Sequence, residues 1–315
     1  MALYLGYDTS NYTTSAAVYD ETSQSVSSSK RLLPVAHGQL GLKQSDAVFA
    51  HIKQLPTVTR ELFSRAANHN TCEAVGYSAR PRDVEGSYMP CFLVGECAAK
   101  TYGDAAGVPV YAFSHQAGHL AAALYSVKRL ELVNERFLAF HVSGGTTECL
   151  LVEPSQETIV SATIVAQSLD LKAGQAVDRV GVMLGLAFPA GRYLDELARA
   201  STKRYKIKPS MKDGDCSLSG IENRCREQFL RGDPHCDIAL YCIEAIRASL
   251  ACMTERVCGQ YSNLPLLYTG GVMSNSLIRE DFTRRYGGLF AAAEYSSDNA
   301  AGTAILSFLK HHSRV

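Results

Sequence analysis

The chain has 315 residues, 46% of them hydrophobic and 20% charged, with a formal net charge of zero. This length accommodates two domains of ordinary size with their own cores, and the composition is that of a soluble globular protein. Zero net charge gives no global sign of a nucleic-acid partner, and no apolar run approaches the roughly 20 residues of a membrane span. The start, Met1 to Asp8, lacks a basic n-region and reaches an acidic residue too soon for a signal peptide. Ten cysteines are scattered with no CxxC pair, which fits reduced thiols in a cytoplasmic protein better than a disulfide framework or a zinc ribbon.

In chain order, Leu3 to Tyr7 predicts a strand, Asp8-Thr9-Ser10-Asn11 a tight polar turn, and Ser15 to Tyr19 a returning strand. Ser45 to Ala67 is amphipathic, with Pro56 expected to kink or break the helix. Pro90 to Ala106 is a small-residue-rich helix suited to close packing. Ser114-His115-Gln116-Ala117-Gly118-His119-Leu120 opens the next helix, and a domain boundary is expected near Val127 to Glu135. Beyond it the strand–turn–strand pattern recurs: Phe137 to Val142, then Ser143-Gly144-Gly145-Thr146-Thr147, then Cys149 to Val152. Asp170 to Leu184, Gly191 to Ala200, Asp237 to Cys258 and Ser274 to Tyr286 carry apolar residues at helical spacing. A third apolar strand, Leu264 to Tyr268, ends in Thr269-Gly270-Gly271-Val272, and a final helix starts near Asp298, where N-capping is the simple reading. The pattern is that of a duplicated α/β unit whose hairpin tips face each other across a cleft.

The chemistry sits in the turns and in one helix. His115 and His119 are four residues apart, so a helix places both imidazoles on one face, where they can hold one metal ion. An isolated HxxxH is more often a pair of ordinary helix histidines. Here it is accompanied by three Gly- or hydroxyl-rich turns whose exposed N–H groups suit anionic oxygens, although each alone also reads as a plain β-turn. Asp178 interrupts an apolar helical run and reads best as an exposed-face residue. The run Lys203-Arg204-Tyr205-Lys206-Ile207-Lys208, with Lys212 beyond, is either a solvated loop or a contact to a phosphate backbone.

Taken in order, these motifs resemble one family over nearly the whole chain: the tRNA adenosine threonylcarbamoyltransferases, once labelled glycoprotease or sialoglycopeptidase. Tyr7 to Ser10 is similar to its opening strand motif, Ser114 to His119 to its metal helix, and Val142 to Thr147 to its phosphate turn. Asp178 with Gly185 to Gly191, then Asp215 to Gly220, Thr269 to Asn275, and Ser297 to Asn299 complete the set. The resemblance implies an α/β, duplicated actin-like (ASKHA, ribonuclease-H-like) fold. Residues 1–130 would form one subdomain, with the metal helix at 115–126 and completion by a C-terminal helix at 298–312; residues 131–297 would form the second, with a helical insertion. It also implies one divalent metal, iron or zinc, on His115, His119 and Asp298. His141 falls where some members supply a tyrosine ligand. The implied nucleotide is threonylcarbamoyl-AMP, ATP or AMP. Its site residues would be Ser10, Asn11, Val142, Ser143, Gly144, Gly145, Thr146, Asp178, Gly191, Asp195, Gly270, Gly271 and Asn275. In the implied reaction an anticodon-loop adenosine amine attacks the carbamoyl carbon and AMP leaves. The implied partners are tRNA, a paralogous helper subunit and a small ATPase, with no membrane and a homodimer or heterodimer as the common assembly.

The chain departs from the family pattern at three places. Asn11-Tyr12-Thr13-Thr14 stands where the family has Cys-Asp-Glu-Thr, Thr146 replaces a histidine, and Arg80-Pro81-Arg82 replaces a Gly-Pro-Gly turn. Arg80 and Arg82 are therefore candidate RNA contacts beside Lys203, Arg204 and Lys206, or else a solvated turn. Proteolysis is excluded because Gln116 occupies the place of the catalytic glutamate of an HExxH helix. The departures leave open a carbamoyltransferase of the same fold with a non-tRNA acceptor, or a non-catalytic partner of the synthase, against which the retained His115, His119 and Asp298 argue. A sugar kinase would need a carboxylate base that the sequence does not offer.

Overall fold

Strand β1 (Leu3–Asp8) is buried along its whole length, because it runs through the middle of a sheet covered on both faces. Its side chains alternate accordingly: Leu3, Leu5 and Tyr7 join one apolar cluster, while Gly6 points to the opposite face. Strands β2 (Thr13–Asp20) and β3 (Ser25–Leu32) follow antiparallel, and β3 is a polar, exposed edge. Helix α1 (Gln44–Arg65) covers the Leu3–Tyr7 face through Leu55, Val58 and Leu62. It does not break at Pro56: the three buried residues on either side of the ring hold the helix against the sheet and outweigh the lost hydrogen bond. Strand β4 (Cys72–Arg80), helix α2 (Phe92–Ala106), strand β5 (Val110–Ser114) and helix α3 (His115–Ser126) complete a sheet of order β3-β2-β1-β4-β5, with β4 and β5 parallel to β1.

The same plan repeats. Strands β6 (Phe137–Val142), β7 (Thr147–Ser155) and β8 (Ile159–Gln167) lead to helices α4 (Ala173–Met183) and α5 (Gly191–Arg199). A short hairpin, β9 (Ser210–Lys212) and β10 (Asp215–Ser217), precedes α6 (Ser219–Leu230) and the long α7 (His235–Gln260). Then come β11 (Leu266–Thr269), a 3-10 turn at Gly271–Ser274, α8 (Ser276–Tyr286), β12 (Leu289–Phe290) and α9 (Ala301–His312). Among the described residues the second large sheet has the order β12-β11-β6-β7-β8, with β6 antiparallel to β7 and parallel to β11. That is the arrangement of the first sheet, so the duplication expected from the turns is present in the strand order.

This computed structural model describes residues 2–10, 12–34, 42–65, 72–296 and 300–313. The chain divides into a first unit of Met1–Glu135, Glu153–Ala162 and Glu294–Val315, and a second of Arg136–Val152 and Thr163–Ala293. The β7–β8 hairpin tip and α9 thus group with the first unit. In that unit α9 lies against β1 and α3, and only glycine permits the approach. A Cβ on Gly302 would lie 1.7 Å from the Gly118 carbonyl oxygen, and one on Gly6 would lie 2.4 Å from the Ala304 nitrogen. Gly118, which precedes the second histidine of the pair, therefore serves helix packing. Among the described residues no helix is long and apolar enough to cross a membrane.

Candidate functional site

In the first unit, Ser114 stands at the junction of β5 and α3 in extended conformation and caps the helix, its Oγ accepting from the Ala117 N–H at 3.1 Å. The Ser114 hydroxyl in turn donates to Asp83 Oδ2 at 2.7 Å, and Arg80 holds Asp83 by a salt bridge of 2.7 Å. The Gln116 N–H donates to the Pro81 carbonyl oxygen at 3.1 Å. The Arg80-Pro81-Arg82 turn is thus built into the start of the metal-helix candidate, and the Arg80 guanidinium is committed to Asp83. Arg80 thus buttresses α3 through Asp83 and Ser114. Arg82 is half-buried, and its N–H donates to Ser87 Oγ at 3.0 Å.

One turn apart on α3, His115 and His119 converge, their Nε2 atoms 2.9 Å apart. His115 Nδ1 lies 3.0 Å from Asp8 Oδ2, and that carboxylate, 1% exposed, also accepts from the Ser10 N–H and hydroxyl at 3.1 Å each. Strand parity explains the contact, since Asp8 shares the Gly6 face of β1, where α9 packs, and α9 lies in turn against α3. A carboxylate accepting from Nδ1–H fixes the tautomer and leaves His115 Nε2 as a lone pair aimed at His119. Two imidazole nitrogens bound to one metal at about 2.0–2.1 Å would be about 2.9–3.4 Å apart, so the pair fits a shared divalent ion. Ser10, expected at the nucleotide, is buried and spent on Asp8. Asp298 and Asn11 lie outside the described residues, and among those described no three metal-ligating side chains converge. His141 lies in the second unit, half-buried on β6 between Glu148 and Thr269 in the ladder.

In the second unit a cavity of about 480 Å³ opens at the C-terminal ends of β6 and β11. Ser143, Gly144, Asp178, Gly191, Asp195, Gly271 and Asn275 line it, so the structure brings together seven residues spread over four segments of sequence. Gly174 at the start of α4 lets that helix abut the β6–β7 tip: a Cβ there would lie 2.5 Å from the Gly144 nitrogen. Gly270 takes φ +98°, and a Cβ on it would strike the Val142 carbonyl oxygen at 2.2 Å. Neither Val142 nor Gly270 lines the cavity; their backbones meet in close contact at the ends of β6 and β11.

The phosphate-turn expectation needs refinement. Ser143 Oγ accepts from the Gly145 and Thr146 N–H groups at 3.2 Å each, so two amides of the tip are turned inward onto the serine. Asp178 is a correction: it is half-buried on the cavity wall, where its Oδ1 accepts from the Ala190 N–H at 2.8 Å. Burial raises its carboxyl above the ordinary value, with the Ala190 N–H pulling the other way. A single acid at helical spacing cannot be assigned a face while the cavity that receives it is unknown, which is why spacing alone favoured an exposed face although the resemblance grouped Asp178 with the other lining residues. Asp195 ties α5 to α8, accepting from the Ser276 hydroxyl at 2.7 Å and N–H at 3.0 Å. Asn275 caps α8, its Oδ1 accepting from the Leu277 and Ile278 N–H groups, which leaves its amide nitrogen as the donor for a ligand.

Asp8 reads in the sequence only as part of a turn, and Asp83 carries no signal there; an acid that orients a histidine or a capping serine from a distant segment leaves no local spacing pattern. The serine-rich loop Asp215 to Gly220 has a structural task, because Asp170 accepts from the Ser219 hydroxyl at 2.6 Å and from the Leu218 N–H at 2.7 Å.

A family model described as TsaD, tRNA N6-adenosine threonylcarbamoyltransferase, matches residues 29–305. Among solved structures, component A of (R)-2-hydroxyglutaryl-CoA dehydratase from Acidaminococcus fermentans superposes over 100% of both chains with a TM-score of 0.57 at 14% identity. HypF from T. kodakarensis matches 99% of this chain and 47% of its own with a TM-score of 0.63 at 13% identity. A full-length HypF in a phosphate- and nucleotide-bound form matches 99% of this chain and 55% of its own, with a TM-score of 0.59 at 12% identity. This chain therefore spans about half the length of the HypF chains. Together with the repeated sheet, these likenesses give the fold: it is actin-like.

Proposed function

Since the chain belongs to the tRNA N6-adenosine threonylcarbamoyltransferase family, we propose that it transfers a threonylcarbamoyl group from threonylcarbamoyl-AMP to an adenosine of tRNA. The observation that carries this reading is the Asp8–His115–His119 array, with His115 Nδ1 3.0 Å from a buried carboxylate and the two Nε2 atoms 2.9 Å apart. His115 and His119 would hold a divalent metal, which would supply Lewis acidity at the carbamoyl group of the donor. Asp8 keeps His115 in the liganding tautomer, and Ser10 holds Asp8 in place. In the second unit, Asp178, Gly191 and Asn275 hold the adenosine portion of the donor, and Gly144 faces its phosphate. The N6 amine of the acceptor forms a bond to the carbamoyl carbon and loses a proton, while the bond from that carbon to the adenylate oxygen breaks and AMP departs. The helper subunit and small ATPase belong to the same reading.

Donor binding tests it. Titrated with zinc or iron and then with threonylcarbamoyl-AMP, the wild-type protein is expected to bind the donor more tightly than AMP. His119→Ala should abolish the metal-dependent part of that preference, and Asp8→Asn should weaken metal affinity by about 10–100-fold. Equal affinity for donor and AMP with or without metal would sink the reading. Preference for the donor without transfer to RNA would favour the alternative, a carbamoyltransferase with another acceptor.

A further inference from the structure

The second unit carries another cavity, of about 380 Å³, between the extended segment 203–208 and helices α6 and α7. Lys203, Lys206, Lys208, Arg224 and Arg231 border it, against a single carboxylate, Asp233. The segment alternates like a strand: Tyr205 and Ile207 pack into the core, while Lys206 and Lys208 are exposed. Tyr205 is fixed by an edge contact to Tyr241, with ring centroids 5.3 Å apart, and by donating its hydroxyl to the Asp237 carbonyl oxygen at 3.0 Å. The lysines therefore stand on a rigid base, not on a wandering loop.

The charges there are unequally committed. Lys203 pairs with Asp237 at 2.9 Å, Arg231 with Asp233 at 2.7 Å, and Arg224 with Glu227 at 2.7 Å. Among the described residues, neither Lys206 nor Lys208 has an acidic partner within salt-bridge distance. On the wall of the same cavity Gln228 is only 4% exposed, and its Oε1 is buried without a hydrogen-bond partner. A buried acceptor left unpaired costs about 1–3 kcal/mol, so its presence beside uncommitted cations marks a place for a ligand that is anionic and also carries an N–H or O–H donor. A phosphodiester-linked ribonucleotide has both, in its phosphate oxygens and in its 2′-hydroxyl or base amine.

We propose that this cavity holds a ribonucleotide of the acceptor RNA other than the adenosine that reacts, with Lys206 and Lys208 on the phosphate and Gln228 Oε1 accepting from the sugar or base. The proposal rests on the tRNA-acceptor reading and deepens it by locating a second RNA contact. The first-unit alternative is weaker, because Arg80 is already held by Asp83.

The test measures binding of unmodified tRNA across a salt series, with AMP binding at the larger cavity as a check on folding. Lys206→Ala/Lys208→Ala is expected to bind AMP as the wild type does and to reduce the slope of log affinity against log salt by about 1.4–1.8, or 0.7–0.9 for each lost phosphate contact. Lys206→Arg/Lys208→Arg should restore that slope, and Gln228→Leu should weaken tRNA binding without altering it. An unchanged slope in the alanine variant, with wild type still binding and modifying tRNA, would overturn the cavity assignment and leave the transfer reading standing. Inorganic phosphate that binds here while tRNA does not would overturn RNA as the occupant. If wild type binds tRNA through these lysines yet transfers nothing to it, the cavity assignment survives and the transfer reading fails.

Discussion

At the scale of single residues, the decisive contacts join side chains far apart in sequence. Asp8 reaches His115 and Thr14 reaches His51, whose Nδ1 lies 2.8 Å from the threonine hydroxyl. The Thr14 hydroxyl donates to Gln54 Oε1 at 2.9 Å, and it therefore accepts from His51 Nδ1–H, leaving His51 Nε2 as a buried lone pair with no partner. Burial lowers the His51 pKa from 6.5 to about 4, against a smaller raising effect of the Asp8 carboxylate. The unfolded chain thus binds a proton between pH 6.5 and 4 that the folded chain refuses, and stability present above pH 6.5 is lost as pH falls through that window. Denaturant unfolding at pH 7 and 4.5 should show about 2–3 kcal/mol more loss in wild type than in His51→Asn, whose amide can still donate to Thr14. Equal losses in the two proteins would show that His51 is not the group refusing the proton.

Elements place these residues, and their signals in the sequence are uneven. Helices with a buried stripe were legible almost to their ends: Asp237 to Cys258 is α7 at His235–Gln260, and Gly191 to Ala200 is α5 at Gly191–Arg199. Strand β3 was not, because SVSSSKRL is a polar edge with no apolar alternation to detect. Helix α6 was missed for a related reason, since three of its side chains, Ile221, Cys225 and Gln228, are the buried ones and one of them is polar. Which backbone meets α3 at Gly118 was equally unreadable, because glycine contact carries no hydrophobic signature. That contact yields a sharp expectation. Gly302→Ala should cost about 1–3 kcal/mol or more by overpacking against the Gly118 carbonyl, and should weaken metal binding by displacing the turn between His115 and His119. Gly287→Ala, where nothing lies within reach of a Cβ, serves as the comparison, expected to lose stability through its φ of +68° without any change in metal affinity. Chemical denaturation and a chelator competition read the two effects separately.

For the whole molecule, the repeated sheet was readable from three Gly- and hydroxyl-rich turns only because they came in order; each alone was a plain turn. The residues expected at a nucleotide were legible as types, but the convergence of seven of them on one cavity depends on α4 abutting the β6–β7 tip at Gly174 and on α5 tied to α8 through Asp195, neither of which has a sequence pattern. The first unit bears the histidine pair and the second the cavity lined by Ser143, Asp178 and Asn275, and the family model matches residues of both. The most direct measurement is nucleoside mass analysis of unmodified tRNA after incubation with metal-loaded protein and threonylcarbamoyl-AMP, with and without the helper subunit and small ATPase. The account predicts N6-threonylcarbamoyladenosine in the digest of the wild-type reaction and none with His115→Ala. Release of AMP with every adenosine left unmodified, under all of these conditions, would contradict it.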